Sequence, residues 1–302
     1  MKEIWFVINP ISGIGRKGKI PRLIDRYLDK SKFNPTIIYT EYRNHGREIA
    51  NKAVENSIDI LAIVGGDGSI NEVSGPLINS STKLAIIPNG SGNGIARHFK
   101  IPRLSRKAIS LINDQNTIKI DTGLTNYLPF IGFMGVGFDA FIAYQFDKSK
   151  SRGFLTYAYL VLKTIRKFKP FAIKIEENGL NENINNLFFC VVTNTSQFGN
   201  NFKISPGSVA TDGLFELVFI QKKSLLQFSY LILLSFFGDI RKSKMFEIRT
   251  VNQLSIINEN KYIQIDGDPV VPNQNELKIS CVPNSLELIV SINRYNKLSR
   301  KI

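Results

Sequence analysis

Cysteine is nearly absent from this chain of 302 residues: Cys190 and Cys281 are the only two, each inside an apolar run. Two scattered thiols build no disulfide framework, and they read as buried groups in a reducing compartment. Histidine is equally scarce, with His45 and His98 alone. No Cys/His cluster therefore has zinc spacing, and both histidines are expected on the surface rather than in catalysis. No Gly-x-Ser-x-Gly elbow is present, which argues against an α/β-hydrolase nucleophile. Long hydrophobic runs are also missing. The longest, Leu225–Phe237, is broken by Gln227 and Ser229, and a bilayer crossing takes about 20 apolar residues. Met1–Pro10 is strand-like and too short for a cleavable signal. There is no internal repeat and no low-complexity segment. These absences predict a cytoplasmic protein with at most peripheral membrane contact.

Acidic residues are few against basic ones, 25 against 39, for a net charge of +14. Such a surface favours anionic partners: nucleic acid, anionic lipid or a phosphorylated substrate. The cations come in short clusters at Arg16–Lys19, Lys148–Arg152, Lys163–Lys169 and Arg241–Lys244. A solvated surface and a membrane-facing role both account for them.

What the chain does have is two glycine-rich turns, each between an apolar run and a helical run. The first is Gly65-Gly66-Asp67-Gly68-Ser69-Ile70-Asn71-Glu72-Val73, after Ile58–Val64; the second is Pro88-Asn89-Gly90-Ser91-Gly92-Asn93-Gly94, after Lys83–Ile87. A strand that ends in glycines and opens a helix aims backbone N–H groups and the positive helix end at one spot, which favours phosphate. Two in succession suggest a polyphosphate site. Asp67 adds an acid that a pure anion cradle would not need, so a metal ion or an activated hydroxyl is implied. A helix-capping role competes for the same residue.

The surrounding pattern alternates. Glu3–Asn9, Thr36–Thr40, Ile58–Val64 and Lys83–Ile87 read as strands, and Lys19–Asp29, Gly46–Asn56 and Ser69–Asn79 as helices. That order predicts a parallel sheet covered on both faces, with ligands at the carboxyl ends of the strands. Beyond Asp121 the texture changes to short runs rich in β-branched and aromatic residues. These are Phe130–Ala140, Ala172–Glu176, Leu187–Thr193, Gly213–Ile220, Gln253–Ile257, Tyr262–Ile265 and Glu276–Val282. They predict an antiparallel sheet domain, interrupted by helices over Phe154–Phe168 and Leu225–Gly238. Core packing, with cations complementing the helix C-termini, is the simpler account of those helices; membrane insertion is the other. Leu286–Ile292 reads as one more strand.

Gly13–Gly18 fits G-x-G-x-x-G, and Glu41 follows the second strand where a ribose-binding acid would sit. The glycines start late, after Asn9-Pro10-Ile11-Ser12, so a dinucleotide site rests on the motif alone. Gly13–Lys19 also has Walker A spacing, but Ile20 stands where the magnesium-holding hydroxyl is needed.

In order along the chain, the motifs resemble the diacylglycerol kinase catalytic-domain family, the soluble bacterial lipid kinases related to sphingosine kinase. Asn9-Pro10-Ile11-Ser12-Gly13 resembles N-P-x-S-G, Gly65–Val73 resembles G-G-D-G-T-x-N-E-V, and Pro88–Arg97 resembles P-x-G-T-x-N-D-x-A-R. Later, Asp121-Thr122-Gly123, Gly135–Ala140, Asn194–Gly199 with Pro206, Asp212-Gly213-Leu214 and Asp266-Gly267-Asp268 resemble successive blocks of the second domain. Ser69 stands for the threonine, and two departures matter more: Gly94 stands for an Asp, and Asp268 for a Glu.

The resemblance implies an α/β nucleotide domain like those of NAD kinase and phosphofructokinase, over 1–122 and completed by 286–302. It implies a mainly antiparallel β-sandwich domain over 123–285, with the chemistry in the cleft between the two. ATP and Mg2+ are the implied cofactors, and a diacylglycerol-like or sphingoid lipid at an anionic membrane is the implied partner, with no nucleic acid. A homodimer stays open. Asn9, Pro10, Ser12, Gly13, Thr40, Gly65, Gly66, Asp67, Gly68, Ser69, Asn71, Glu72, Ser91 and Asn93 would meet ATP and its metal. Asp212, with the carbonyls of Val209 and Leu214, would hold a structural magnesium. Asp266 and Asp268, with Asp67, would carry the catalysis, Asp268 being the expected proton acceptor. NAD kinase, which shares Gly-Gly-Asp-Gly, and a binding protein that has lost catalysis are the alternatives.

Overall fold

The computed structural model describes residues 1–10, 17–149, 153–221, 224–260 and 262–299. It divides into two compact units, Met1–Asp121 with Pro283–Ile302, and Thr122–Val282.

In the first unit the chain runs β1 (Lys2–Ile8), α1 (Ile20–Tyr27), β2 (Phe33–Tyr39), α2 (His45–Glu55), β3 (Ile60–Gly65), α3 (Asp67–Leu77), β4 (Lys83–Pro88), α4 (Gly94–His98) and α5 (Ser105–Ile112). The strands are parallel in the order β2-β1-β3-β4. All six residues of β3 are buried, as expected of a central strand covered on both faces. Helices α1 and α5 pack together, as do α2 and α3. Pro21 opens α1, where a missing N–H costs nothing.

The strand ends are in register: Ile8 lies beside Tyr39 and Val64, and Gly65 beside Pro88. The ladder continues one residue further, with N–H bonds from Asn9 to Val64 O at 3.2 Å, Thr40 to Ile8 O at 3.0 Å and Asn89 to Gly65 O at 2.8 Å. Asn9, Thr40, Gly66 and Asn89 therefore share the carboxyl edge. The chain leaves β1 toward β2 on one side and later returns to β3 on the other, so the switch point falls between β1 and β3.

The second unit follows β5 (Thr117–Thr125), which leads in from the first. It continues through β6 (Leu128–Phe130), β7 (Phe133–Gly137), α6 (Phe138–Asp147), α7 (Phe154–Thr164), β8 (Phe171–Glu177) and β9 (Leu180–Thr193). Then come β10 (Gln197–Gly199), β11 (Phe202–Lys203), β12 (Phe215–Gln221), α8 (Leu225–Phe237), β13 (Phe246–Val251), β14 (Gln253–Ile257), β15 (Ile263–Ile265), β16 (Asp268–Val270) and β17 (Glu276–Ile289), before α9 (Ile292–Ser299). One antiparallel layer runs β16-β15-β7-β9-β12-β13. The first half of β9 pairs instead with β8, which continues to β14 and β17. One core, including Met134, Ile175, Cys190, Leu217, Phe219, Ile256 and Leu277, draws on both layers. Val191, Val218 and Ile220 point the opposite way, into a second core with Phe138, Ile142, Phe188 and Leu231. The period-2 alternation of β12 divides its side chains between the two cores.

Several expectations are corrected. The strand read over Phe130–Ala140 is two short strands and the start of α6, because Gly137 at φ 103° turns the chain out of the sheet. The runs Glu276–Val282 and Leu286–Ile292 are not separate strands. β17 passes through Pro283 and Asn284, whose N–H donates to the side-chain Oδ1 of Asp121 on β5 at 2.8 Å. Ile292 opens α9 instead of ending that strand. His98 is buried against the Phe99 ring, and burial pushes its imidazole down to about 4. Cys190 is buried as expected, whereas Cys281 is half-buried.

Candidate active site

In the first unit the two glycine turns meet through their backbones. A Cβ on Gly90 would lie 2.5 Å from the Gly66 Cα, and one on Gly66 would lie 3.1 Å from the Gly90 Cα. The approach requires glycine at position 90, and at position 66 a Cβ would be a tight contact. Gly65 is pressed in the same way against Ser69, whose Cβ would be 2.5 Å from an added methyl group.

Asp67 binds the turns together. It is the first residue of α3, and its carboxylate accepts from Gly94 N at 3.0 Å and Ile95 N at 3.1 Å, at the start of α4. It is a cap, but for the other helix. The side chain is half-buried, so a ligand at the strand ends can reach it. Gly94, where the family pattern has Asp, thus offers its backbone N–H to Asp67 in place of a second acid. Across the switch point, Asn9 Nδ2 donates to Ser69 Oγ at 2.8 Å. Half-buried Arg97 adds a cation nearby: its Nε donates to Gly92 O at 3.0 Å, and burial holds its guanidinium below the usual range.

The remaining residues of the predicted nucleotide set differ in what they face. Thr40 is buried at the edge, and Pro10, Gly68 and Asn71 are half-buried there. Ser91 is exposed at the tip of the second turn. Asn93 is in the left-handed conformation, with its amide spent on Gly90: Oδ1 accepts from Gly90 N at 2.9 Å, and Nδ2 donates to Gly90 O at 2.7 Å. It shapes the turn. Glu72 accepts from Asn44 N at 3.1 Å at the start of α2. Gly46 leaves room for this, since a Cβ there would lie 2.8 Å from Glu72 Oε2. Ser12 and Gly13 lie outside the described residues.

In the second unit Asp266 and Gly267 form the two-residue turn between β15 and β16, with φ 49° and 92°. These are the left-handed values of a tight hairpin. The turn separates the two aspartates. The Asp266 side chain is buried and accepts from Ile131 N at 2.9 Å, Gly132 N at 2.7 Å and Phe133 N at 2.9 Å. It holds the turn before β7. Asp268 is half-buried at the first position of β16.

Sequence reasoning passed over the group behind this hairpin. Gln264 is buried, accepts from Gly267 N at 2.8 Å, and donates through Nε2 to Asp139 Oδ2 at 3.1 Å. Burial pushes the Asp139 carboxyl up to about 7, against the pull of its hydrogen bonds. Gly135 makes the space, because a Cβ there would sit 2.1 Å from Asp139 Oδ2. The available signal was the position of Gln264 two residues before Asp266 on a strand.

The predicted magnesium ligands lie elsewhere in the second unit. Asp212 is exposed, and its Oδ1 accepts from Leu214 N at 3.0 Å. Val209 is half-buried and Leu214 exposed. Glu216, four residues after Asp212 and unassigned from sequence, is pushed up to about 7 by burial, with the charge of Asp212 adding to the shift. Among the described residues no three His, Cys, Asp or Glu side chains converge as a metal cage. A divalent ion here would rest on Asp212, Glu216 and backbone carbonyls, hard oxygen donors that suit magnesium.

Comparison with known proteins agrees with this layout. Residues 3–125 match the diacylglycerol kinase catalytic domain, and residues 132–290 the YegS C-terminal NAD kinase beta sandwich-like domain. A diacylglycerol kinase of Bacillus subtilis is 27% identical, over 89% of this chain and 90% of its own length. One from Mycobacterium tuberculosis is 26% identical over 95% of this chain and 94% of its own. A diacylglycerol kinase structure from Bacillus anthracis shares the fold with TM-score 0.74 at 17% identity, over 97% of this chain and 98% of that one. An NAD kinase from Archaeoglobus fulgidus, solved with ATP, is more distant at TM-score 0.57 and 13% identity, over 99% and 98%. The expected α/β domain and β-sandwich are both present, and the chain belongs to the diacylglycerol kinase catalytic-domain family.

Proposed function

We propose that the protein transfers the γ-phosphoryl group of ATP to a hydroxyl of a diacylglycerol-like or sphingoid lipid, which it meets at an anionic membrane surface. The observation that carries this reading is the clamp in the first unit. Two glycine turns touch backbone to backbone at the strand ends, and Asp67 is bonded across them.

Phosphoryl transfer needs positioning and charge neutralisation more than covalent chemistry from the protein. Backbone amides of Gly65–Ser69 and of the Gly90 turn meet phosphate oxygens. The hydroxyls of Thr40, Ser69 and Ser91 and the amides of Asn9 and Asn71 are further donors, and Pro10, Ser12 and Gly13 belong to the same predicted nucleotide set. Glu72 and Asn93 act one step back, through α2 and Gly90. Asp67 orients the metal-bound or hydrated side of the nucleotide. Magnesium, when bound with ATP, supplies neutralising charge. Asp268 takes the proton of the acceptor hydroxyl as its oxygen bonds to the γ-phosphorus and the bond to ADP breaks. Asp266 keeps the hairpin beneath it in place. Asp212 and Glu216, with the carbonyls of Val209 and Leu214, hold a structural magnesium away from the chemistry.

The test uses labelled ATP with lipid vesicles containing diacylglycerol or sphingosine, and NAD in a parallel reaction. Label in the organic phase is the expected result. Labelled NADP would make the chain an NAD kinase, and no product with retained ATP binding would make it a binder. Asp268→Ala should abolish lipid phosphorylation with ATP affinity unchanged, and Asp268→Glu should retain or raise turnover. Full turnover in the alanine variant, or loss of its ATP binding, would overturn the assignment of the base.

A further inference from the structure

α8 carries no charged residue from Leu225 to Phe237, and α7 none from Phe154 to Leu162. A helix apolar on every side is normally buried all round. Here only the inner sides are covered. Tyr157, Leu160 and Val161 of α7 and Phe228 and Leu231 of α8 pack into the core that also holds Phe188 and Ile220. The outer sides carry large apolar side chains into solvent. On α7 these are Leu155, Tyr159 and Leu162, at 84%, 60% and 72% exposure; on α8, Leu226, Tyr230, Leu233 and Phe237, at 83%, 52%, 58% and 87%.

Both stripes lie on one side of the second unit. Phe168, just after α7, and Phe228 of α8 each meet the Phe188 ring edge-on, at 5.6 and 5.0 Å between centroids. The stripes repeat at helical spacing, one running 155, 159, 162 and the other 226, 230, 233, 237, so each is a continuous face rather than scattered residues.

Charge says what the face meets. The end of α7 and the segment after it, up to Pro170, carry Lys163, Arg166, Lys167 and Lys169, all exposed, with no acidic residue. Lys163 leans over the Tyr159 ring at 5.7 Å, so cation and stripe adjoin. Beyond α8 stand exposed Arg241, Lys242 and Lys244, and the one acid there, Asp239, is paired with Arg241 at 2.7 Å. Among the described residues no helix is long and apolar enough to cross a membrane. Short apolar faces bordered by cations suit helices lying in the headgroup layer of an anionic bilayer.

We infer that the outer faces of α7 and α8 form the membrane-docking surface of this protein. The stripes enter the boundary between headgroups and acyl chains, and the Lys163–Lys169 and Arg241–Lys244 clusters meet anionic headgroups. This rests on the lipid-kinase reading only for its purpose; the surface itself stands on exposure and charge.

The test is sedimentation with vesicles of phosphatidylcholine alone or mixed equally with phosphatidylglycerol, both without any acceptor lipid. Wild type should co-sediment with the anionic vesicles and less with the neutral ones. The pairs Leu155→Asp with Leu162→Asp, and Leu226→Asp with Phe237→Asp, should each lower partitioning about tenfold or more, given the transfer free energy of such side chains. Lys163→Gln, Lys167→Gln and Lys169→Gln together should lower it about tenfold on anionic vesicles and flatten its salt dependence. Circular dichroism and turnover on detergent-dispersed lipid check that each variant is folded. Stripe variants that sediment like wild type would overturn the inference while leaving the kinase reading intact. Light scattering that shows a wild-type dimer made monomeric by the same substitutions would assign the face to a second copy and overturn it too. Loss of vesicle binding in a protein that phosphorylates no lipid would keep the surface and remove the kinase reading.

Discussion

Asp67 and Asp266 each stand beside a glycine at a tight turn, and each binds backbone N–H groups from a segment distant in sequence. Asp67 is half-buried at the edge of a parallel sheet and accepts from two amides at the start of α4. Asp266 is buried in the antiparallel unit and accepts from three successive amides of residues 131–133. Two acids alike in local sequence thus have different work. A carboxylate at the surface can be reached by a ligand, while one sealed among amides is part of the fold. The difference lies in access rather than in residue type.

The largest effect that tests this contrast is expected at Asp266. Asp266→Ala leaves three N–H groups without their acceptor, and an unsatisfied buried donor costs about 1–3 kcal/mol. Urea unfolding should show a loss of about 3 kcal/mol or more, with Asp266→Asn intermediate because one oxygen remains. A stable, inactive alanine variant would instead move Asp266 into the chemistry.

Asp67→Asn should behave in the opposite way. Its kcat should fall about a hundredfold, the scale for loss of an acid/base or metal-linked group. Stability should change by only about 1 kcal/mol, the value of a helix cap. Steady-state kinetics beside urea midpoints separates the two, and near-normal turnover would end the proposed role.

A third test is read from pH and concerns the support behind the Asp266 hairpin. The Asp139 carboxyl sits at about 7 in the folded chain, above the unfolded value of about 3.9. As pH rises from that lower value, the unfolded chain gives up its proton first, so stability is lost progressively up to about 7. Asp139→Asn keeps an acceptor for Gln264 and removes the titration. Urea midpoints on either side of this window should fall for wild type relative to the variant. Parallel curves would mean that the carboxyl is hydrated.

The alternation of strands and helices in the first unit, and the glycine turns closing β3 and β4, were legible because both are local. Periodicity and the conformational freedom of glycine act over a few residues. The start of α6 was misread because Phe138 and Ala140 continue the apolar run of β7, and Gly137 at positive φ decides otherwise. His98 was expected outside because histidine often is, yet Phe99 and the surrounding core cover it. Gln264 offered only its place two residues before Asp266, and Glu216 was not singled out. Each becomes notable through a partner, Asp139 at a separation of 125 residues and Asp212 across a turn.

By itself, then, the sequence determined the order of elements around the first sheet, the two turns at its carboxyl edge and the family to which the chain belongs. Each follows from short-range backbone preference or from motifs in a fixed order. Only the tertiary structure decided which amide-bound acids are buried and which stay accessible, and which sides of two apolar helices face outward. Burial and hydrogen-bond partnership are set by residues far apart in the chain, and a charge or a leucine acquires its role from what surrounds it.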